Sequence, residues 1–234
     1  MKCLSSLGGL CLLASAAVAP AETILIESDF ASHLVTRPVP YMVLLPDNFT
    51  EAEKPLPLLL MLHGGGGDRT ELRRSRGIIE ELWESGKLAR MVVVAPSSAP
   101  RGFYMDQKGG PEKWETLLVG PFREHIRKKY NTSKDPKENL LIGISMGGMG
   151  SLRIGFKHPE SFGGLAALEP GIEPILHWKD MRPRDRWWRD DRLFEAAFGK
   201  PVDPVYWEAN NPASIAKADP DRLRNRTENL SGCR

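Results

Sequence analysis

A chain of 234 residues with 41% hydrophobic composition can bury one sizeable core and is too short for two ordinary α/β domains. Its formal charge of +2 is too near neutrality to suggest a nucleic-acid surface. No Cys/His pairs stand at metal-ligand spacing, so neither a metal nor another cofactor is expected.

The chain opens on Lys2, an apolar stretch from Leu10 to Val18, and Ala19-Pro20-Ala21. This order predicts a signal peptide over residues 1–21, cleaved before Glu22, and a secreted or periplasmic destination. The apolar stretch falls well short of the ~20 residues that a membrane-spanning helix needs. No later run is longer, so no membrane association is expected after cleavage. Cys3 and Cys11 leave with the signal, which makes Cys233 the only thiol and excludes an internal disulfide.

Residues 22–224 read as one domain. Extended segments at Thr23 to Ile26 and Pro40 to Leu45 precede continuous apolar runs at Leu56 to Leu62, Met91 to Ala95, Leu140 to Ile144 and Gly164 to Leu168. Continuous rather than alternating runs predict strands buried on both faces, as in a mostly parallel sheet covered by helices. Leu72, Ile78, Ile79, Leu82 and Trp83 share one face of a predicted helix, and Trp114, Leu117, Leu118 and Phe122 one face of a second. Pro57 and Pro121 mark element starts or kinks.

Two glycine clusters follow strands. After Leu58-Leu59-Leu60 comes Met61-Leu62-His63-Gly64-Gly65-Gly66-Gly67-Asp68. Acyl transfer builds negative charge on a carbonyl oxygen, and backbone N–H groups reach that charge only where no side chain blocks approach. After Leu140-Leu141-Ile142 comes Gly143-Ile144-Ser145-Met146-Gly147, with Gly148 and Gly150 beyond it. A serine between two glycines at a strand-to-helix junction fits a nucleophile elbow, and Ser145 is the candidate nucleophile. His63 invites a reading as general base, but its place at a strand end favours shaping the oxyanion loop with Gly64 and Gly66.

His63-Gly64-Gly65, Arg101-Gly102-Phe103-Tyr104-Met105, the elbow, and Asn211-Pro212 occur in one order. Together, over about residues 22 to 224, they resemble the Putative esterase family of α/β hydrolases, which includes feruloyl esterases, S-formylglutathione hydrolases and mycolyltransferases. The resemblance implies an α/β-hydrolase fold, Ser145 as nucleophile, and the N–H groups of Gly65 and Met146 as the oxyanion hole. It implies a small-molecule or polysaccharide-linked ester as substrate, and it also implies an acidic residue and a histidine following two further strands.

From residue 171 to residue 212 the pattern breaks into a Trp/Arg-rich stretch holding Trp178, Trp187, Trp188 and Trp207, at the position of the family's lid-like insert. Two readings stand open. Trp178, Trp187 and Trp188 form a wall for an aromatic or sugar-linked acyl group, or they pack the insert onto the domain.

After Ile215 no histidine and no strand-like apolar run follow, and residues 225–234 are a polar tail. The expectation is a sheet without its last two strands and a serine without its acid and base, hence impaired catalysis. A non-catalytic protein that binds acyl or carbohydrate ligands is the rival reading. His177 is the one histidine after the last apolar run, and a surface or packing role is the expectation for it. His125, beside Arg123, Arg127, Lys128 and Lys129, reads as part of a solvated basic face, and His33 and His158 read as structural.

Overall fold

The structure, a computed structural model, describes residues 22–47, 49–50, 54–99, 102–173, 175–186 and 191–220. The expected signal peptide, the polar tail, Trp187 and Trp188 lie outside them.

Six strands form one sheet: β1 (Ile24–Phe30), β2 (Val39–Leu45), β3 (Leu58–Leu62), β4 (Val92–Pro96), β5 (Asn139–Ile144) and β6 (Gly164–Leu168), in the order β1-β2-β4-β3-β5-β6. β1 and β2 run antiparallel to each other, and β2 runs antiparallel to β4. β4, β3, β5 and β6 are mutually parallel. Connections between parallel strands are crossovers, and here they are helical: α1 (Thr70–Glu84) links β3 to β4, α4 (Met146–Lys157) links β5 to β6, and a third helical stretch links β4 to β5.

The central strands are buried on both sides, as their unbroken apolar runs require. Tyr41, Val43, Leu45, Leu58, Leu60, Leu62, Val92 and Val94 enter the larger core beneath α4. Met42, Leu44, Val93 and Ala95 enter a smaller core beneath α1, with Leu72, Ile79 and Trp83 from that helix. β1 begins where expected but runs on through Glu27, Ser28 and Asp29, because an edge strand with a wet face tolerates polar residues.

A helical stretch flanks the larger core: α2 (Trp114–Leu117), a π-helical turn over Leu118–Phe122, and α3 (Arg123–Tyr130). Pro121 sits inside the π turn, where widened spacing accommodates its missing N–H. His125 is not a solvated residue. Its ring lies 4.8 Å from that of Phe30, and Nε2 is 2.9 Å from the Tyr41 hydroxyl.

The insert contains α5 (Asp191–Phe198) and α6 (Pro204–Glu208), and α7 (Pro212–Ala218) starts at its last residue. Its core is aromatic. Trp178 stands 5.4 Å from Phe194 and 5.8 Å from Trp207, ring to ring, and Trp207 is fully buried.

Candidate active site

Ser145 follows β5 and caps α4 with φ 53° and ψ −111°, a conformation that strains any residue carrying a Cβ. Its side chain is exposed. The turn closes only because its neighbours lack side chains. A Cβ on Gly143 would lie 2.2 Å from the Gly147 carbonyl oxygen, and one on Gly147 would lie 2.0 Å from that of Leu62. The Ser145 N–H donates to the Leu168 carbonyl at 2.9 Å, and its own carbonyl accepts from Gly171 N–H at 3.0 Å. The segment after β6 is thereby strapped to the elbow, and within it Glu169 also takes a positive φ of 43°.

The first glycine cluster lies beside the serine. A Cβ built on Gly64 would stand 3.7 Å from that of Ser145. The loop turns on a Gly67 N–H to Gly64 carbonyl bond of 3.0 Å, with Gly66 at φ 79°. Gly65 and Gly66 are exposed on this turn. Met146 opens α4, and first-turn N–H groups have no acceptor within their own helix. The helix end adds partial positive charge to a site that faces an incoming carbonyl oxygen.

His63 is buried, and both ring nitrogens are engaged. Nδ1 is 2.7 Å from the Gly64 carbonyl, and Nε2 accepts the Ser98 N–H at 3.0 Å. These bonds select the Nδ1–H tautomer, and desolvation lowers the imidazole pKa, so the ring is a neutral brace for the loop.

The other four histidines lie elsewhere. His33 is exposed in the β1–β2 connection, and His125 is under β1. His158 Nε2 meets Glu115 at 2.8 Å, and His177 Nδ1 meets Glu208 at 3.2 Å. Trp178 is half-buried in the insert. Among the described residues no cluster of three or more His, Cys, Asp or Glu could hold a metal.

Sequence reasoning missed Tyr104, whose ring and hydroxyl meet His63, and Arg153, whose guanidinium meets the Phe103 carbonyl beside it. Arg153 left a signal, since it is the one charged side chain among Met146 to Phe156. Phe103 and Tyr104 left only their place in a motif, because nothing local in them announces the consecutive φ values of 52° and 51° that they adopt.

A mostly parallel sheet with helices on both faces, and a serine on a strained turn between the fifth strand and its helix, define an α/β hydrolase. The chain belongs to the Putative esterase family, whose model matches residues 32–227. An esterase of Mycobacterium tuberculosis is 28% identical over 148 residues, covering 59% of this chain and 32% of that protein. An acetyl esterase of Caldicellulosiruptor saccharolyticus is 27% identical over 130 residues, covering 56% of this chain and 46% of its own. The chain thus spans less than half the length of these curated relatives. Among solved structures, a ferulic acid esterase superposes with a TM-score of 0.66 at 22% identity, covering 88% of this chain and 75% of that one. An S-formylglutathione hydrolase from Agrobacterium tumefaciens gives 0.67 at 19%, covering 84% and 71%. At such identities these two likenesses speak for the fold.

Proposed function

We propose that this chain is an exported serine-type carboxylic-ester hydrolase, with residues 1–21 as signal and residues 22–224 as the esterase domain. The observation that carries the reading is Ser145, held exposed in a strained turn beside the Gly64 to Gly67 loop. Ser145 Oγ bonds the ester carbonyl carbon while the hydroxyl proton leaves to solvent water, which in turn protonates the departing alkoxide. The carbonyl electrons move to an oxygen facing the Gly65 and Met146 N–H groups. Collapse expels the alcohol, and water then releases the acid and restores the serine. Relatives with ferulate or sinapinate bound support an aromatic acyl ester, small or polysaccharide-linked, as the substrate class. Trp178 packs against Phe194 and Trp207 inside the insert, so the proposed aromatic wall is left to Trp187 and Trp188.

None of the chain's five histidines has a partner at Ser145 in this arrangement, which supports slow turnover by these 234 residues. Losing the base leaves the ~10³ to 10⁴-fold catalysis that an oxyanion hole and binding supply. Hydrolysis of p-nitrophenyl acetate should exceed the buffer rate yet stay far below that of an esterase with a full triad. Ser145→Ala should lower it no more than a few fold, and His177→Ala should leave it unchanged. A fast rate abolished by both substitutions would overturn the slow-turnover reading. No rate above buffer, together with a ligand-induced tryptophan fluorescence change, would replace hydrolysis by the second reading, acyl or carbohydrate binding.

A further inference from the structure

We propose that Arg153 and Tyr104 are positioning residues for the oxyanion loop: the Arg153 guanidinium holds a left-handed Phe103-Tyr104 turn that presses Tyr104 against His63, and so sets the Gly64-Gly65 backbone beside Ser145. The inference rests on the hydrolase reading for its effect on rate and stands without it as a statement about the loop.

Arg153 is the only cation on α4 with no exposure. A buried guanidinium is costly unless it is paired and hydrogen-bonded; this one has no close ion pair, with Glu115 at 3.9 Å and a further attraction from Glu173 and Asp106. Its Nη2 donates to the Phe103 carbonyl, and among the described residues Nε and Nη1 have no hydrogen-bond acceptor. Glu115 is mainly engaged with Lys157 and His158, each at 2.8 Å. A cation kept at that cost, with its directed bond on one loop carbonyl, is placed to hold the loop.

The loop needs holding. Two adjacent residues with side chains, Phe103 and Tyr104, adopt positive φ, a strained conformation that persists only where the surroundings enforce it. Tyr104 then fits against α4 where Gly150 leaves room, since a Cβ there would come 3.1 Å from the tyrosine ring. Its ring meets that of His63 edge-on at 5.5 Å, and its hydroxyl donates to the His63 carbonyl at 3.3 Å. A Cβ on Gly147 would lie 2.7 Å from that same carbonyl oxygen, so the His63 peptide is wedged between Tyr104 and the elbow. The next two residues are Gly64 and Gly65. An oxyanion donor displaced by about 1 Å loses up to ~10²-fold in rate, so an element that fixes this peptide acts on catalysis without touching substrate.

Tyr104→Phe removes one hydroxyl and should fold. Arg153→Lys keeps the charge and removes the planar fork. Both are measured in the full chain for p-nitrophenyl acetate hydrolysis, thermal unfolding, and solvent exchange of the His63 Nδ1 proton by NMR. The expected result is kcat lowered about tenfold with KM within twofold, and faster exchange of the His63 proton, in Tyr104→Phe at an unchanged melting temperature. Arg153→Lys should move the same two readings in the same direction. Wild-type kcat in Tyr104→Phe, a lowered kcat with unchanged His63 exchange, or an Arg153→Lys variant that loses only stability would each overturn the proposal. Should Arg153→Lys fail to fold, Tyr104→Phe decides alone. Should the unaltered chain give no turnover, the hydrolase reading fails and His63 exchange still tests the positioning.

Discussion

At Ser145 a single residue carries the tension between folding and chemistry. Its φ of 53° brings no packing benefit of its own, and the price is met by neighbouring glycines and by backbone bonds to Leu168, Met149 and Gly171. His63 shows the opposite economy, a titratable group disarmed by burial and by two hydrogen bonds. That disarming has a pH signature. Burial lowers the folded pKa of His63 below its ordinary 6.5, and burial with the nearby Lys129 charge does the same to His125. Below about 6.5 the unfolded chain therefore binds protons that the folded one does not, and stability falls as pH falls. Glu115 acts in a lower window: its folded pKa is held below the ordinary 4.5, despite burial, by His158, Lys157 and Arg153, so its contribution is present above 4.5 and is lost in stronger acid. Denaturant unfolding at pH 7.5 and pH 5.5 should show lower stability at the acid end, with a smaller difference in His125→Gln. Equal stability at both pH values would contradict the account.

Elements with one dominant physical cause were legible from sequence. β2 to β6 lie within a residue or two of the extended segment and apolar runs read from sequence; β2 and β4 are buried on both faces, while β3, β5 and β6 have one face only partly covered, and their apolar composition alone marked them. Leu72, Ile79 and Trp83 turned inward on α1 as their spacing required, whereas Ile78, counted on the same face, is 65% exposed. The short helices α5, α6 and α7 were not separated, since each has only five to eight residues and too few apolar positions to show a period beside the surrounding tryptophans and arginines. At the site, Ser145 and the glycine loop were legible because backbone sterics force glycine into particular places, while Tyr104 and Arg153 act through contacts between segments some 50 residues apart. The steric argument can be tested within helices. Gly147→Ala would drive a Cβ to 2.0 Å from the Leu62 carbonyl oxygen, where backbone cannot yield cheaply, and should cost about 3 kcal/mol or more. Gly77→Ala on α1 meets nothing within 4 Å and should add about 0.5–1 kcal/mol. Chemical denaturation of the two variants measures both, and equal effects would show that the close approach at the elbow does not govern stability.

Across the whole molecule the two faces of the sheet are unequally covered. α2, α3 and α4 crowd one face and build the larger core, while among the described residues α1 alone lies over the other. Beside α1 an apolar groove of about 580 Å³ opens over β3, β5 and β6, lined by Met61, Ile78, Leu140, Ile142, Leu165 and Leu168. Ile78 and Leu168 are 65% and 48% exposed, and among the described residues β6 pairs only with β5. Exposed apolar surface next to an open strand edge is a template for association, so the 234-residue chain should bind a hydrophobic dye in its folded state and scatter light at raised concentration. Charges placed where the groove is already wet should relieve this at little cost, because such side chains gain little from burial. Ile78→Lys and Leu168→Lys together should lower dye fluorescence and light scattering severalfold, with a melting temperature no more than a few degrees below that of the parent. A double variant that aggregates as readily as the parent would place the association surface elsewhere, and one that unfolds would show that the groove is packed in solution.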